Sequence, residues 1–431
     1  MRKRFGLGRR AGALIAAAAA VGAAALPAQA RTGGGSTAPS YAFDPAAQRV
    51  RGAVTSSDAV PLTAGRTYRD TLAKDGKVYY RLDLDDRQNA YVSVVAVPGP
   101  GSAVKAGDGF KVVVRDGSGT DCDSQRVGFG SSDYARPLVG YAHRATGPGG
   151  ASGCRRAGTF YVLVERDSPD SRDDWELELR YLTEPPLKEA GPTRLPETWS
   201  SGTPAPPTGG PRPRQGGAGF HGAVPLTRGE WRSDIRPGES LFYRVPLDWG
   251  QQLFTTAELG SSTKDGGYVS GALSLTLVNP AFGQVAEGGV GYSGKPATLP
   301  LGPQRPVAHE NRVSFHSATK GMRFAGWYYL VATLDPEVAE EYGGEPVPLT
   351  LRVNVLNAPK PGPGYDGDAG PFAVTAEDRA AAETGVGGSQ AAEGTARADS
   401  LRLVAVAGIG TGTVLLAGLG AWTAVARRRA A

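Results

Sequence analysis

The chain has 431 residues, with 62 glycines, 33 prolines and only two cysteines; 47 lysines and arginines stand against 42 acidic residues, a formal net charge of +5. The surplus sits at the ends: five basic residues in the leader and three in the tail leave 39 against 42, a net of about −3 over residues 31–426. No basic patch of the kind a phosphate backbone needs remains, so nucleic acid is excluded as a partner.

Arg2, Lys3, Arg4, Arg9 and Arg10 precede an apolar run from Ala11 to Leu26, and Ala28-Gln29-Ala30 closes it. A basic head, an apolar middle and a small-residue cleavage site read as a signal peptide over 1–30. An exported chain meets an oxidising compartment, so Cys122 and Cys154 are expected to form one disulfide, a local staple. Little Lys and Met with much Ala, Gly, Pro and Arg fits a high-GC Gram-positive, actinobacterial source.

Residues 41–182 are expected to form a first β-sandwich module. Lys77-Val-Tyr-Tyr-Arg-Leu-Asp-Leu alternates apolar with polar, the pattern of a half-buried strand. Ala90 to Val97, Phe110 to Arg115, Gly158 to Glu165 and Trp175 to Leu182 are further β-rich runs bounded by turn residues. Tyr134 to Ser152 reads as a long loop. Residues 183–219 are rich in Pro, Gly and Thr without periodicity and read as a semi-extended linker.

The first module then returns. Ala59-Val-Pro-Leu-Thr-Ala-Gly65 recurs as Ala223-Val-Pro-Leu-Thr-Arg-Gly229, and Tyr79-Tyr80-Arg81 as Phe242-Tyr243-Arg244. Matching segments in one order mean a duplicated domain, here over 220–356. Its predicted strands begin at Ser240, Gln252, Leu273, Gly326 and Leu349. Tyr80 and Tyr243 should pack between sheets, with Arg81 and Arg244 on the opposite face.

Residues 357–400 read as a flexible Gly/Ala/Pro/Glu stalk, with a short helix from Thr375 to Glu383 capped by Thr375 and answered by Asp378. Residues 403–426 carry no charge and are long enough to cross a bilayer. Arg427, Arg428 and Arg429 in the tail 427–431 should stay on the cytoplasmic side as the membrane anchor. The expected topology is a single-pass type I membrane protein with its modules outside.

The recurring motif order resembles the bacterial pre-peptidase C-terminal (PPC) domain. It is carried by Leu62 and Gly65, Tyr79-Tyr80-Arg81, Tyr91 to Val97, Asp116-Gly117 and Gly158 to Val164. In the second copy it is carried by Leu226 and Gly229, Phe242-Tyr243-Arg244, Leu253 to Ala257 and Gly326 to Val331. The resemblance implies a jelly-roll-like β-sandwich that is appended to exported proteins and is not itself catalytic.

The chain offers little catalytic chemistry. No H-E-x-x-H, G-x-S-x-G or P-loop occurs; four histidines are present, His143, His221, His309 and His316, and of these His309 and His316 read as loop histidines rather than as a pair. Two aspartate groups, Asp83/Asp85/Asp86 and Asp167/Asp170/Asp173/Asp174, read first as solvated turns; the second is the better calcium candidate because it joins two strands. Trp199, Trp231 and Trp249 are candidate glycan platforms or core residues. The expectation is an all-β chain of two tandem jelly-roll-like β-sandwich domains, without a cofactor unless calcium binds. It would act by non-enzymatic binding or assembly at the cell surface, with a cell-envelope protein or wall polymer as partner and the bilayer held through the C-terminal helix. The alternative is an accessory or substrate-binding part of an envelope peptidase or hydrolase.

Overall fold

Ten strands in the first module recur one for one in the second. The computed structural model describes residues 40–99, 101–130, 134–147, 150–168 and 171–386. The first ten are β1 (Gln48–Arg49), β2 (Val60–Pro61), β3 (Thr67–Leu72), β4 (Lys77–Leu84), β5 (Asn89–Val97), β6 (Gly109–Asp116), β7 (Asp121–Gly128), β8 (Leu138–Arg144), β9 (Gly158–Asp167) and β10 (Trp175–Glu184). Their counterparts are β11 (Pro211–Pro213), β12 (Val224–Pro225), β13 (Gly229–Ile235), β14 (Ser240–Leu247), β15 (Gln252–Leu259), β16 (Val269–Val278), β17 (Gln284–Tyr292), β18 (Ala297–Leu301), β19 (Gly326–Leu334) and β20 (Val347–Leu356).

Each module has two five-stranded sheets. Their orders are β1-β3-β10-β5-β8 and β2-β4-β9-β6-β7, then β11-β13-β20-β15-β18 and β12-β14-β19-β16-β17. The repeated Val-Pro dipeptide forms the same parallel edge strand twice, with Val60 opposite Tyr80 and Val224 opposite Tyr243. Proline is tolerated there because an edge strand need not donate on its outer side.

Alternation along the strands fills each sandwich. Tyr80, Leu82, Val92, Val94, Phe110, Val112, Val114, Val162, Val164 and Trp175 meet in the first core. Trp231, Tyr243, Val245, Leu273, Leu275, Leu277, Tyr328, Leu330 and Leu349 meet in the second. The two tyrosines lie between the sheets as expected, with their hydroxyls satisfied: Tyr80 donates to Asp70 at 2.7 Å and Tyr243 to Ser233 at 2.8 Å. Arg81 pairs with Asp83 at 3.4 Å, and Arg244 lies over the Trp327 ring at 4.3 Å.

The two modules pack on each other through sheet faces. Strand β5 is buried on both sides: Ala90, Val92, Val94 and Ala96 face its own core, while Tyr91 and Val95 face outward into other clusters. Val95 and Val139 of the first module meet Phe242, Val278, Phe282, Tyr329 and Val331 of the second, with Phe220 packed among Phe242, Phe282 and Tyr329 and Tyr41 against Phe242. Antiparallel sheets often leave one face to water. Here the near-continuous apolar runs of β5 and β19 record the covering of both.

Three expected segments differ from the structure. The Tyr134–Ser152 stretch contains β8, which pairs with β5 from Ala96–Leu138 to Ala90–Arg144. Residues 183–219 are not a free linker. Pro211–Pro213 forms the edge strand β11 of the second module, and Gly217 bridges to Phe242. Prolines flanking Arg212 keep that segment extended but give it no apolar face to recognise.

The described part of the expected stalk, up to residue 386, is also held down. Leu187 bridges to Tyr365, Lys188 donates to the Gly364 carbonyl at 2.8 Å, and Phe372 is fully buried against Phe324 at 4.6 Å. The short helix forms over Ala376–Thr384 with Thr375 and Asp378 in the expected capping box. Asp378 also accepts from the Trp327 indole at 2.8 Å, and Arg379 pairs with Asp248 at 2.5 Å. Lone aromatics do this docking, in a composition otherwise typical of a tether. The signal segment, the span 403–426 and Arg427–Arg429 lie outside the described residues. No helix among the described residues is long and apolar enough to cross a membrane.

Candidate functional site

The end of β10 places Glu184 at the junction of the two modules, just before Pro185 and Pro186 turn the chain away. Its carboxylate is buried and well used. Tyr91 donates to Oε2 at 2.6 Å, Asn89 to Oε2 at 2.8 Å, and Tyr365 to Oε1 at 2.7 Å. Three stretches of chain, β5, β10 and the C-terminal segment, thus close on one buried anion. Burial raises the Tyr91 and Tyr365 hydroxyls well above the ordinary tyrosine range, and the Glu184 charge adds to it.

Beside this clasp lies a cavity of about 380 Å³. Arg87, Asn89, Tyr91 and Glu184 line it from the first module, Pro185 to Leu187, Glu189 to Gly191 and Thr193 from the connection, and His309, Arg312 and Arg323 from the second. Arg323 sits between the buried Met322 and Phe324 and is itself only 4% exposed. Its guanidinium lies over the rings of Phe324 at 4.7 Å and Tyr91 at 5.1 Å. Burial opposes its charge, but Tyr91, Tyr141, Glu184 and Asp123 outweigh burial and raise its pKa, so it remains a cation. Nε and Nη2 have no hydrogen-bond partner among the described residues.

His309 Nε2 stands 4.0 Å from Glu184 Oε1, and its Nδ1 has no hydrogen-bond partner among the described residues. Burial, only partly countered by Glu184, lowers its pKa from 6.5 to about 4. The sign of the consequence follows. Between pH 6.5 and about 4 the unfolded chain binds a proton that the folded chain refuses. Stability therefore falls as pH drops through that window, by on the order of 3 kcal/mol from this group. His309→Gln is expected to show a smaller loss of melting temperature between pH 7 and pH 4.5 than the native chain. Equal losses would contradict a buried neutral His309.

The other histidines serve elsewhere. His143 is buried, stacks on Tyr91 at 5.7 Å and Tyr141 at 5.8 Å, and bonds Asp123 through Nδ1. His221 lies 3.3 Å from Asp44, and His316 is exposed.

Cys122 on β7 and Cys154 in a short turn over Ser152–Arg155 form the expected disulfide, with Cα atoms 5.7 Å apart. Of the calcium candidates, Asp167 pairs with Arg126, the Asp173 carbonyl accepts from Arg166 at 2.8 Å, Asp174 is exposed, and Asp170 lies outside the described residues. Among the described residues no three His, Cys, Asp or Glu side chains are placed to hold a metal. Asp85 accepts the Arg87 and Gln88 amides at 2.9 and 2.8 Å, the bonding of a turn. Trp231 and Trp249 are core residues, whereas Trp199 is half-buried with Arg305 4.6 Å from its ring.

Sequence reasoning passed over Glu184 and Arg323. A signal was present: each is a lone charge beside apolar residues, Tyr181-Leu182-Thr183-Glu184 and Met322-Arg323-Phe324-Ala325. Charges so placed are buried and partnered, or held for a ligand.

The fold and the site define a tandem β-sandwich protein with a recess between its modules, lined by apolar surface and a few charged groups. No family model matches the chain, and no curated protein does. Among solved structures it is similar to the CUB1-EGF-CUB2 domain of human MASP-1/3, at 9% identity over 67% of this chain and 99% of that one, with a TM-score of 0.17. It is also similar to the CBM22-1-CBM22-2 tandem domain of Paenibacillus barcinonensis Xyn10C, at 11% identity over 69% and 92%, with a TM-score of 0.18. The tandem CBM51 modules of a family 98 glycoside hydrolase from Streptococcus pneumoniae align at 9% identity over 70% and 87%, with a TM-score of 0.16. At these TM-scores the likenesses carry no argument about ligand or activity.

Proposed function

We propose that this chain is a non-enzymatic binding or assembly protein of the cell surface. Its two jelly-roll-like modules, similar to PPC domains, stand outside the membrane on a helix over 403–426 with Arg427–Arg429 inside. The partner is a cell-envelope protein or wall polymer, and no cofactor is needed. Strand order supports the jelly-roll reading, because β3 to β10 divide between two sheets as 3-10-5-8 and 4-9-6-7, with β6 and β7 the one consecutive pair in the same sheet.

The observation that carries the reading is the junction recess. Two modules and the connection line one concavity with charged groups already in place, beside Glu184, which Tyr365 of the C-terminal segment also bonds. Pre-formed recesses with a few convergent polar groups, often at domain interfaces, are where ligands bind.

The test uses the full-length chain purified in non-ionic detergent and immobilised. Envelope extract and purified wall from the native host are passed over it separately. Saturable retention of one envelope protein, or of wall, is the expected result, with no turnover of peptide, ester or glycan substrates. Retention of neither would contradict the reading. Turnover would move the chain to the peptidase or hydrolase alternative.

A further inference from the structure

We propose that an open trough on the second module binds a neutral oligosaccharide, with one sugar stacked on Trp199. The trough holds about 1130 Å³. That exceeds the roughly 300–1,000 Å³ of small-ligand pockets and suits an oligomer. One wall is the connection from Glu189 to Ser200, and the other is the C-terminal segment from Asn357 to Gly364. Trp249, Gly250 and Pro306 to Glu310 make the floor. The walls are open to solvent, with Arg194, Thr198, Asn357 and Lys360 exposed along them.

These walls are rich in acceptors and poor in donors. Pro192, Pro196, Pro306, Pro359, Pro361 and Pro363 each bring a carbonyl and no N–H. Both walls lie outside any helix or strand, so no ladder takes up their carbonyls. Arg312, Asn311 and the Tyr365 amide donate to Pro192, Pro306 and Pro363 at 3.1, 2.9 and 3.0 Å. Pro196, Pro359 and Pro361 receive no donor among the described residues. A fitting ligand must therefore bring donors of its own, as the hydroxyls of a sugar do. A proline-rich peptide is itself short of donors and would set acceptor against acceptor.

Charge in the lining favours neither ion. Glu189 and Glu310 stand against Arg194 and Lys360, and His309 is neutral. Trp199 supplies the apolar surface. It is half-buried and lines the trough, whereas Arg305, 4.6 Å from its ring, backs the indole from outside. One face of a pyranose consists of C–H bonds and packs on such a ring, while its hydroxyls stay free at the rim. Gly362 lets the C-terminal wall close on the floor, since a Cβ there would lie 2.4 Å from Trp249 Nε1. Proline-rich walls are already stiff, so little freedom is lost when a ligand enters.

This inference rests on the binding reading and deepens its wall-polymer arm. It is tested by calorimetric titration of the full-length chain, held in a non-ionic detergent without a sugar headgroup. The probes are chitotetraose, cellotetraose and mannotetraose; tetragalacturonate and decaproline are the controls. At least one neutral tetramer is expected to bind at one site per chain, and neither control should bind. Trp199→Ala should weaken binding at least about tenfold, and Trp199→Phe, which keeps a ring face, by no more than about threefold. A measurement on the native chain stands beside the variants. Oxidation of Trp199 by N-bromosuccinimide, mapped by mass spectrometry, should slow when the tetramer covers the ring. No neutral tetramer bound, tetragalacturonate bound equally well, decaproline bound in place of sugar, or unchanged oxidation of Trp199 would each overturn the proposal. Wall retention without tetramer binding would sink this inference alone. Tetramer binding without retention of wall or envelope protein would sink only the broader reading.

Discussion

Lysine at both Val95 and Val331 separates the two modules and leaves each one folded. Val95 is 1% exposed and Val331 9%, and both lie in the cluster formed between sheet faces. Neither belongs to the core of its own sandwich. Burying a valine is worth about 1.5–3 kcal/mol, and an unpaired ammonium in its place costs several more. Two such changes within one apolar cluster remove more than about 5 kcal/mol of coupling even if the lysines partly reach water. Limited proteolysis reads the outcome. Much of the stretch between Pro185 and Gly219 is exposed, but it is pinned at Leu187, at the Ser200 carbonyl and at Pro211–Pro213, so the native chain should be cut there only slowly. The double variant should be cut there within minutes to give two resistant fragments. Unchanged resistance would show that the cluster does not join the modules.

Replacing Cys122 and Cys154 by serine is the second large effect, and it falls on the first module alone. The two cysteines are 32 residues apart in sequence. Opening a loop of that size costs about 3–4 kcal/mol by chain entropy. The turn it pins is also gripped by Arg144, a fully buried cation that donates to the carbonyls of Cys154 at 2.8 Å, Gln88 at 2.6 Å and Arg156 at 3.0 Å. Without the cross-link that turn frays, and the guanidinium loses acceptors it cannot replace in the interior. The double serine variant should melt roughly 5–10 °C below the oxidised native chain. Reductant should lower the native chain equally and leave the variant unmoved. Equal melting of variant and native chain would show the disulfide to be energetically idle.

How much of this was legible follows from what each residue leaves in the sequence. Strands β4, β5, β6, β9 and β10 and their counterparts carry alternating or continuous apolar runs, so they and the duplication could be read directly. Strand β7, Asp-Cys-Asp-Ser-Gln-Arg-Val-Gly, has no buried residue, and an edge strand of this kind has no apolar stripe to find. Strand β8 was hidden inside a loop because Gly140, His143 and Arg144 interrupt its run. Face-to-face packing was present in the Tyr91, Val95, Tyr329 and Val331 positions, which a one-sided sandwich would have given to polar residues. The junction needed coordinates. Glu184 and Tyr365 are 181 residues apart, and only the fold brings them together.

Calorimetric unfolding of the oxidised full-length chain in detergent tests most directly whether the two modules, the connection and the C-terminal segment form one body. The expected result is a single transition whose calorimetric and van't Hoff enthalpies agree. Two separable transitions, or a calorimetric enthalpy near twice the van't Hoff value, would mean two modules that fold independently. The junction recess would then lose its structural basis.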